Sequence, residues 1–125
     1  MAVSLDPVKA CETLLSALQD RAPRITPQEM AKRLQGWQFF DCGGAVVMAL
    51  EDEVHVAVPP ERRGLWLKRA DIREVLGGIL ARFGRARTSV MQDNSAGHMF
   101  VRRFGFERIG ERGELVLYQI GGTHA

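Results

Sequence analysis

The residues best suited to bind an anion lie between a short apolar strand and a long amphipathic helix. The strand predicted over residues 54–58 has β-branched side chains at alternate positions and ends at a Pro-Pro pair. Arg62, Arg63 and Gly64 follow, just before the predicted helix. The first N–H groups of a helix have no intrahelical partners and lie at the positive end of its dipole. The turn therefore predicts a phosphate site, with a solvent-exposed basic turn as the alternative.

A carboxylate and an imidazole occupy alternate positions of the same stretch. Glu53 and His55 are two residues apart, so the period of a strand puts both side chains on one face. Either group can accept a proton from a bound substrate, directly or through a water molecule. The pair is a candidate general base. The alternative is structural, with a glutamate at a strand edge and a hydrogen-bonded histidine.

The remaining polar candidates favour structural roles. Asn94 stands just before a predicted helix, where an asparagine side chain caps the free N–H groups. His98 and His124 are far apart in the sequence and are expected at the surface, so no metal site is predicted. Cys11 and Cys42 form no CxxC pair, which argues against a zinc site or a disulfide framework and favours a reducing compartment.

Capping and turn signals predict the elements that position these residues. Asp6-Pro7 and Thr26-Pro27 each place an N-cap residue before a proline at the first helical position. The predicted helices span residues 7–21, 27–36, 67–83 and 95–103, and the predicted strands span residues 37–41, 45–50, 54–58, 88–91, 106–110 and 114–120. The first three strands form a meander. This mixed order predicts an α+β fold, a mixed central sheet with helices on both faces.

Composition limits the class of protein. A chain of 125 residues is the size of one domain, and 46% hydrophobic with 26% charged residues is typical of an ordered globular protein. The net charge is only +2, which argues against nucleic acid as the main partner. No apolar run is long enough to cross a membrane or to form a signal peptide. We expect a single cytoplasmic domain over residues 1–125, with no membrane partner.

The element order and two motifs resemble the GNAT acetyltransferases. The first motif is the strand, proline, Arg63-Gly64 turn and helix. The second is an Asn-to-Gly-Phe segment with the spacing Asn94-x5-Phe100-x3-Phe104-Gly105-Phe106. The resemblance covers residues 37–120 and, more loosely, the two leading helices. The chain is also similar to small GNAT-like proteins encoded by bacteriophages.

The resemblance implies acetyl-CoA as the cofactor and an amine as the acceptor. In the family, the turn before the helix binds the pyrophosphate, and main-chain amides of the strand orient the pantetheine arm. The cofactor-binding residues implied here are Val56, Val58, Arg62, Arg63, Gly64 and Asn94. Glu53 or His55 is implied as the general base. The acceptor amine is not specified, and self-association into a homo-oligomer stays open.

Two positions differ from the family pattern and support a second hypothesis. Trp66 occupies the second small position of the phosphate loop in the family pattern. There it packs in the core, stacks on an adenine, or closes a cofactor site that no longer functions. Val101 occupies the position of the tyrosine that protonates the departing thiolate in many members. The second hypothesis is a catalytically inactive GNAT-like phage protein that acts in binding or virion assembly.

Overall fold

The computed structural model of the chain describes residues 2–59 and 69–122. The helices are α1 (Pro7–Leu18), α2 (Pro27–Arg33), α3 (Arg69–Phe83) and α4 (Ser95–Arg103). A 3-10 turn (Gln19–Arg21) follows α1 directly. The strands are β1 (Val3–Ser4), β2 (Gln38–Cys42), β3 (Ala45–Leu50), β4 (Glu53–Ala57), β5 (Arg85–Met91), β6 (Glu107–Arg112) and β7 (Leu115–Gly121). These strands form one sheet in the order β1-β2-β3-β4-β5-β7-β6. The sheet is mixed, because β4 and β5 are parallel whereas β2 and β3 are antiparallel.

The first two helices begin where the capping signals predict. The Asp6 carboxylate accepts hydrogen bonds from the Val8 and Lys9 N–H groups at 3.1 and 3.2 Å. The Thr26 hydroxyl accepts one from the Glu29 N–H group at 3.1 Å. Each bond satisfies an N–H group that has no partner inside the helix. Both predicted helix starts are therefore confirmed.

Contacts divide the chain into two compact units, which we describe separately. The first takes in the described residues of Met1–Leu50 and His55–Val75. Helix α1 covers one face of the β2-β3 hairpin, and the buried cluster there comprises Ala10, Cys11, Leu14, Phe39, Val46 and Met48. Cys42 lies on the opposite face of β2, where α3 is close enough for the Asp71 carboxylate to act on its thiol. Helices on both faces of a mixed sheet confirm the predicted α+β architecture.

The second unit takes in the described residues of Glu51–Val54 and Leu76–Ala125. Strand β7 pairs with β5 along its whole length and with β6 on its other side. Val90, Val116 and Tyr118 are buried, and Val90 and Tyr118 lie against Gly97 and His98 of α4. A Cβ placed on Gly97 would lie 2.8 Å from the Val90 side chain, so α4 packs with its backbone close to β5.

The largest differences from the predicted strands are an additional strand and an earlier start of β5, whereas the other strand ends shift by one or two residues. Strand β1 was not predicted, because two residues carry no periodicity; Val3 pairs with Asp41, and the Leu5 N–H group donates to the Phe39 carbonyl. Strand β5 begins at Arg85 rather than at Thr88. Residues 67 and 68 of the predicted long helix lie outside the described residues.

Candidate functional site

Strand β4 carries both residues of the candidate general base. Glu53 opens the strand, His55 stands at its centre, and both are half-buried. Because they occupy alternate positions of one strand, their side chains leave the same face of it. Val56 is the next residue, and Val58 follows the end of the strand. The predicted strand is confirmed, one residue earlier than expected, and the roles of these residues stay predictions.

The His55 ring packs against an indole within the first unit. The ring centroids of Trp37 and His55 are 5.9 Å apart, and the ring planes are tilted by 43°. Trp37 is itself half-buried and packs against the hydrophobic cluster under α1. The backbone N–H group of Trp37 donates to the backbone carbonyl of Leu34, just beyond α2, at 3.1 Å. The imidazole therefore stands beside an aromatic side chain that the fold holds in place.

An ion-pair cluster fixes the start of β4 within the second unit. Asp52, only 6% exposed, accepts hydrogen bonds from Nε of Arg85 at 2.7 Å and from Nε and Nη2 of Arg87 at 2.8 and 2.9 Å. The backbone repeats this connection, since the Arg87 N–H group donates to the Asp52 carbonyl at 2.7 Å. Glu53 and Arg87 are paired in register. The cluster therefore fixes the position of the Glu53 backbone.

Mutual stabilisation of charge in this cluster shifts two pKa values. The Arg87 hydrogen bonds hold the pKa of Asp52 below its ordinary value, against the raising effect of burial. Asp52 in turn raises the pKa of Arg87. The sequence places Asp52 in a turn and the arginines 33 and 35 residues further on. No local pattern links residues so far apart, so sequence reasoning missed the cluster.

Asn94 is the N-cap of α4, which is the structural role predicted for it from the sequence. Its Oδ1 atom accepts from the Gly97 N–H group at 3.0 Å, and the side chain is exposed. Capping uses the side-chain oxygen and leaves the Nδ2 amide group as a donor. The cap is confirmed, and the contact of Asn94 with a cofactor stays a prediction.

His98, which is expected at the surface, keeps only part of its surface exposed. His98 is half-buried, and its Nδ1 lies 2.6 Å from the hydroxyl of Tyr118, which is 1% exposed. Its Nε2 lies 3.2 Å from the Gln92 carbonyl. A carbonyl can only accept, so Nε2 carries the proton and the Tyr118 hydroxyl donates to Nδ1. Nothing local in the sequence links two residues 20 positions apart, and the polar pair became visible only in the fold.

Part of the predicted cofactor site lies outside the described residues. This applies to Arg62, Arg63, Gly64 and Trp66, so the phosphate site stays a prediction. Val101, which replaces the tyrosine of the family pattern, lies half-buried in α4.

Cys11 and Cys42 are free thiols in the core. Burial, with a smaller contribution from Asp6, raises the pKa of Cys11. Burial, followed by the nearby Asp71 carboxylate, raises the pKa of Cys42 to about 11. Both thiols are therefore protonated and poorly nucleophilic near neutral pH.

Within residues 2–59 and 69–122, His, Cys, Asp and Glu form no group of three or more that could hold a metal ion. In the same residues, no helix has the length and apolar character needed to cross a bilayer.

Comparison with known proteins identifies the fold. No family model and no curated protein matches the sequence. Solved structures do match, and they share the GNAT acyl-CoA N-acyltransferase fold. A ribosomal-protein-alanine N-acetyltransferase from Brucella melitensis is similar over 98% of this chain and 99% of its own, with a TM-score of 0.75 and 12% identity.

Two further structures give the same result. The dodecameric spermidine N-acetyltransferase from Vibrio cholerae is similar over 97% of this chain and 92% of its own, with a TM-score of 0.69 and 12% identity. An acetyltransferase from Streptococcus agalactiae is similar over 98% of both chains, with a TM-score of 0.66 and 12% identity. At this level of identity the likeness defines the fold, and function must be argued from the residues.

Proposed function

We propose that this chain is an acetyl-CoA-dependent N-acyltransferase that transfers an acetyl group to an amine. The observation that carries the proposal is strand β4, which holds two proton acceptors, Glu53 and His55, on a fold that N-acetyltransferases share. Both side chains are half-buried, so a bound substrate can reach them while much of the surrounding water is excluded.

The donor groups that the family resemblance implies would suit a pantetheine arm. Val56 lies in β4 and Val58 follows the end of the strand, and the resemblance assigns their backbone N–H groups to the arm. Asn94 adds a side-chain amide donor. Arg62, Arg63 and Gly64 would hold the pyrophosphate through fixed charge and backbone N–H groups. When bound, acetyl-CoA supplies the acyl group as a thioester.

The residues of the chain then have separate tasks. The Val56 and Val58 amides would orient the arm and would offer N–H donors to the thioester carbonyl oxygen. Glu53 or His55 takes the proton that the amine must lose before it can attack. Val101 has no proton to donate, so water would have to supply the proton that the family's tyrosine gives to the thiolate.

Calorimetry with acetyl-CoA tests the binding half of this proposal. We expect micromolar binding to the wild-type protein, and strongly reduced binding to Arg63→Glu, because the substitution places a carboxylate beside the pyrophosphate. Arg112→Glu is the matched charge control, since it reverses the same charge at an exposed arginine of β6. No heat at millimolar acetyl-CoA with a folded protein would refute the proposal.

Steady-state kinetics test the catalytic half, with release of free CoA thiol as the signal over a panel of primary amines. Glu53→Gln and His55→Gln each remove one proton acceptor at nearly constant size. We expect the residue that acts as the base to lower kcat by about 10²–10⁴-fold, with the acetyl-CoA affinity unchanged. Equal, full activity in both variants would refute a base on β4.

A second candidate function is a GNAT-fold protein without transferase activity. The observation that favours it is Val101 in place of the tyrosine, together with Trp66 in the phosphate loop. Such a protein would act in binding or assembly, for example in a phage particle. It predicts a folded protein that binds no acetyl-CoA and captures a protein partner in a pull-down.

Self-association is a further proposal about the same chain. One protein of the same fold forms a dodecamer. Light scattering of the purified chain tests this: a mass well above 13.9 kDa supports a homo-oligomer, and a mass near 13.9 kDa excludes it.

A further inference from the structure

The most informative unassigned feature is the aromatic side chain beside the proposed base. Trp37 and His55 lie with ring centroids 5.9 Å apart and ring planes tilted by 43°, so their faces are neither stacked nor perpendicular. Both residues are half-buried, so each keeps part of its surface exposed to solvent. This pairing belongs entirely to the first unit.

An indole beside a proton acceptor has a specific chemical use. The face of an indole attracts a cation that lies within about 6 Å of its centroid, and tryptophan does so more strongly than the other aromatic residues. An amine acceptor is an ammonium ion in neutral water and must lose a proton before it attacks a thioester. An ammonium held against the exposed part of the Trp37 indole, on the side of His55, would lie close to the imidazole, because the two ring centroids are only 5.9 Å apart.

The surroundings of Trp37 indicate what else the acceptor carries. Trp37 and Met30 pack against the hydrophobic cluster at the edge of the core, and so does Ala57 of β4. Leu34 belongs to the same group and is linked to Trp37 by a backbone hydrogen bond. An apolar chain or ring attached to the amine would meet apolar surface here and gain by leaving water.

We propose that Trp37 is the specificity-determining residue that receives the acceptor, a primary amine carried on an apolar chain or ring. The role of this amine as an acetyl acceptor rests on the proposed function, whereas amine binding at Trp37 does not. The indole binds the ammonium form, and one proton then passes from the ammonium nitrogen to the proton acceptor on β4. The neutral amine that results is attracted less by the indole and is free to attack.

Binding of two probes that differ only in charge tests the assignment without any turnover. Pentylamine is an ammonium ion at pH 7, and pentan-1-ol is a neutral molecule of the same length. Each is titrated into the wild-type protein, with calorimetry for affinity and the indole N–H signals in NMR for location. Trp37→Phe removes one of the two indole signals and so identifies it.

We expect pentylamine to shift the Trp37 indole signal and to bind about 3- to 30-fold more tightly than pentan-1-ol. Trp37→Phe should lose part of this preference and Trp37→Leu all of it, because phenylalanine has a weaker π face and leucine has none. Phe40→Leu is the matched control, since Phe40 is a half-buried aromatic residue three positions away, and it should keep the preference. If Trp37→Leu does not fold, Trp37→Phe decides.

Equal affinity for the two probes, or a preference that survives Trp37→Leu, overturns the assignment. Separate titration with acetyl-CoA distinguishes this failure from failure of the proposed function. Acetyl-CoA binding without a charge preference would support the proposed transferase and refute Trp37 as its acceptor site. A charge preference at Trp37 without acetyl-CoA binding supports the amine site and refutes the transferase.

Discussion

Asp52→Asn isolates the ion-pair cluster that fixes the start of β4. The change keeps the size of the side chain, removes its charge, and turns one acceptor oxygen into an N–H donor that faces guanidinium donors. Three hydrogen bonds of 2.7–2.9 Å are affected. A hydrogen bond to a charged group is worth about 1.5–3 kcal/mol, but the Arg85 and Arg87 side chains are 52% and 46% exposed, so solvent screens part of this. We expect a net loss of about 2 kcal/mol in the free energy of unfolding.

Urea unfolding followed by circular dichroism measures this loss. For a domain of this size the midpoint should fall by about 1 M. The exposed neighbour Glu51 provides the control, since Glu51→Gln removes the same charge from the same turn and should change stability by less than about 0.5 kcal/mol.

The pH dependence gives a second check on Asp52. Its pKa is lower in the folded state than in the unfolded state, so its stabilisation is fully present above the unfolded pKa of about 4. The stabilisation is lost as the pH falls through the lower, folded pKa. The difference between wild type and Asp52→Asn should therefore be constant from pH 5 to 8 and shrink below about pH 4. A difference under about 0.5 kcal/mol at pH 7, or one that persists unchanged in acid, would refute this account.

Three further predictions concern packing and buried polar groups. Gly97→Ala should lower stability by about 1–3 kcal/mol, because the new Cβ would lie 2.8 Å from the Val90 side chain. Gly77→Ala in α3 should raise stability by about 0.5–1 kcal/mol, because its Cβ would meet no atom within 4 Å. Thermal unfolding compares the two variants, and equal effects would contradict the packing argument. Because its pKa is raised to about 11, the buried Cys42 should resist alkylation by iodoacetamide at pH 8 in the native protein and react in urea, and mass spectrometry that finds it labelled in the native state would contradict this. Tyr118→Phe should cost about 1–2 kcal/mol, because it removes the hydroxyl that donates to a half-buried imidazole, and unchanged urea stability would show that the bond contributes nothing.

Local patterns in the sequence determined the elements of the fold. Asp6, Thr26 and Asn94 each mark a helix start, because their side chains bond N–H groups only two or three residues away. The alternation in β4 likewise predicted that Glu53 and His55 share a face. The order of the elements and the spacing of the Asn-to-Gly-Phe segment together indicated the GNAT fold, which comparison of structures confirmed at identities too low for a sequence match.

Only the tertiary structure decided which distant residues meet. Asp52 with Arg87, His98 with Tyr118, and Trp37 with His55 are pairs separated by 18 to 35 positions. Strand pairing and helix packing set each of these contacts, and neither leaves a signal within a short window of sequence. Polarity alone also gave no indication of the partner of His98. A polar residue is usually exposed, whereas His98 forms a hydrogen bond with a buried tyrosine hydroxyl. The sequence therefore identified the candidate functional residues by their type and spacing. The tertiary structure determined which other residues contact them.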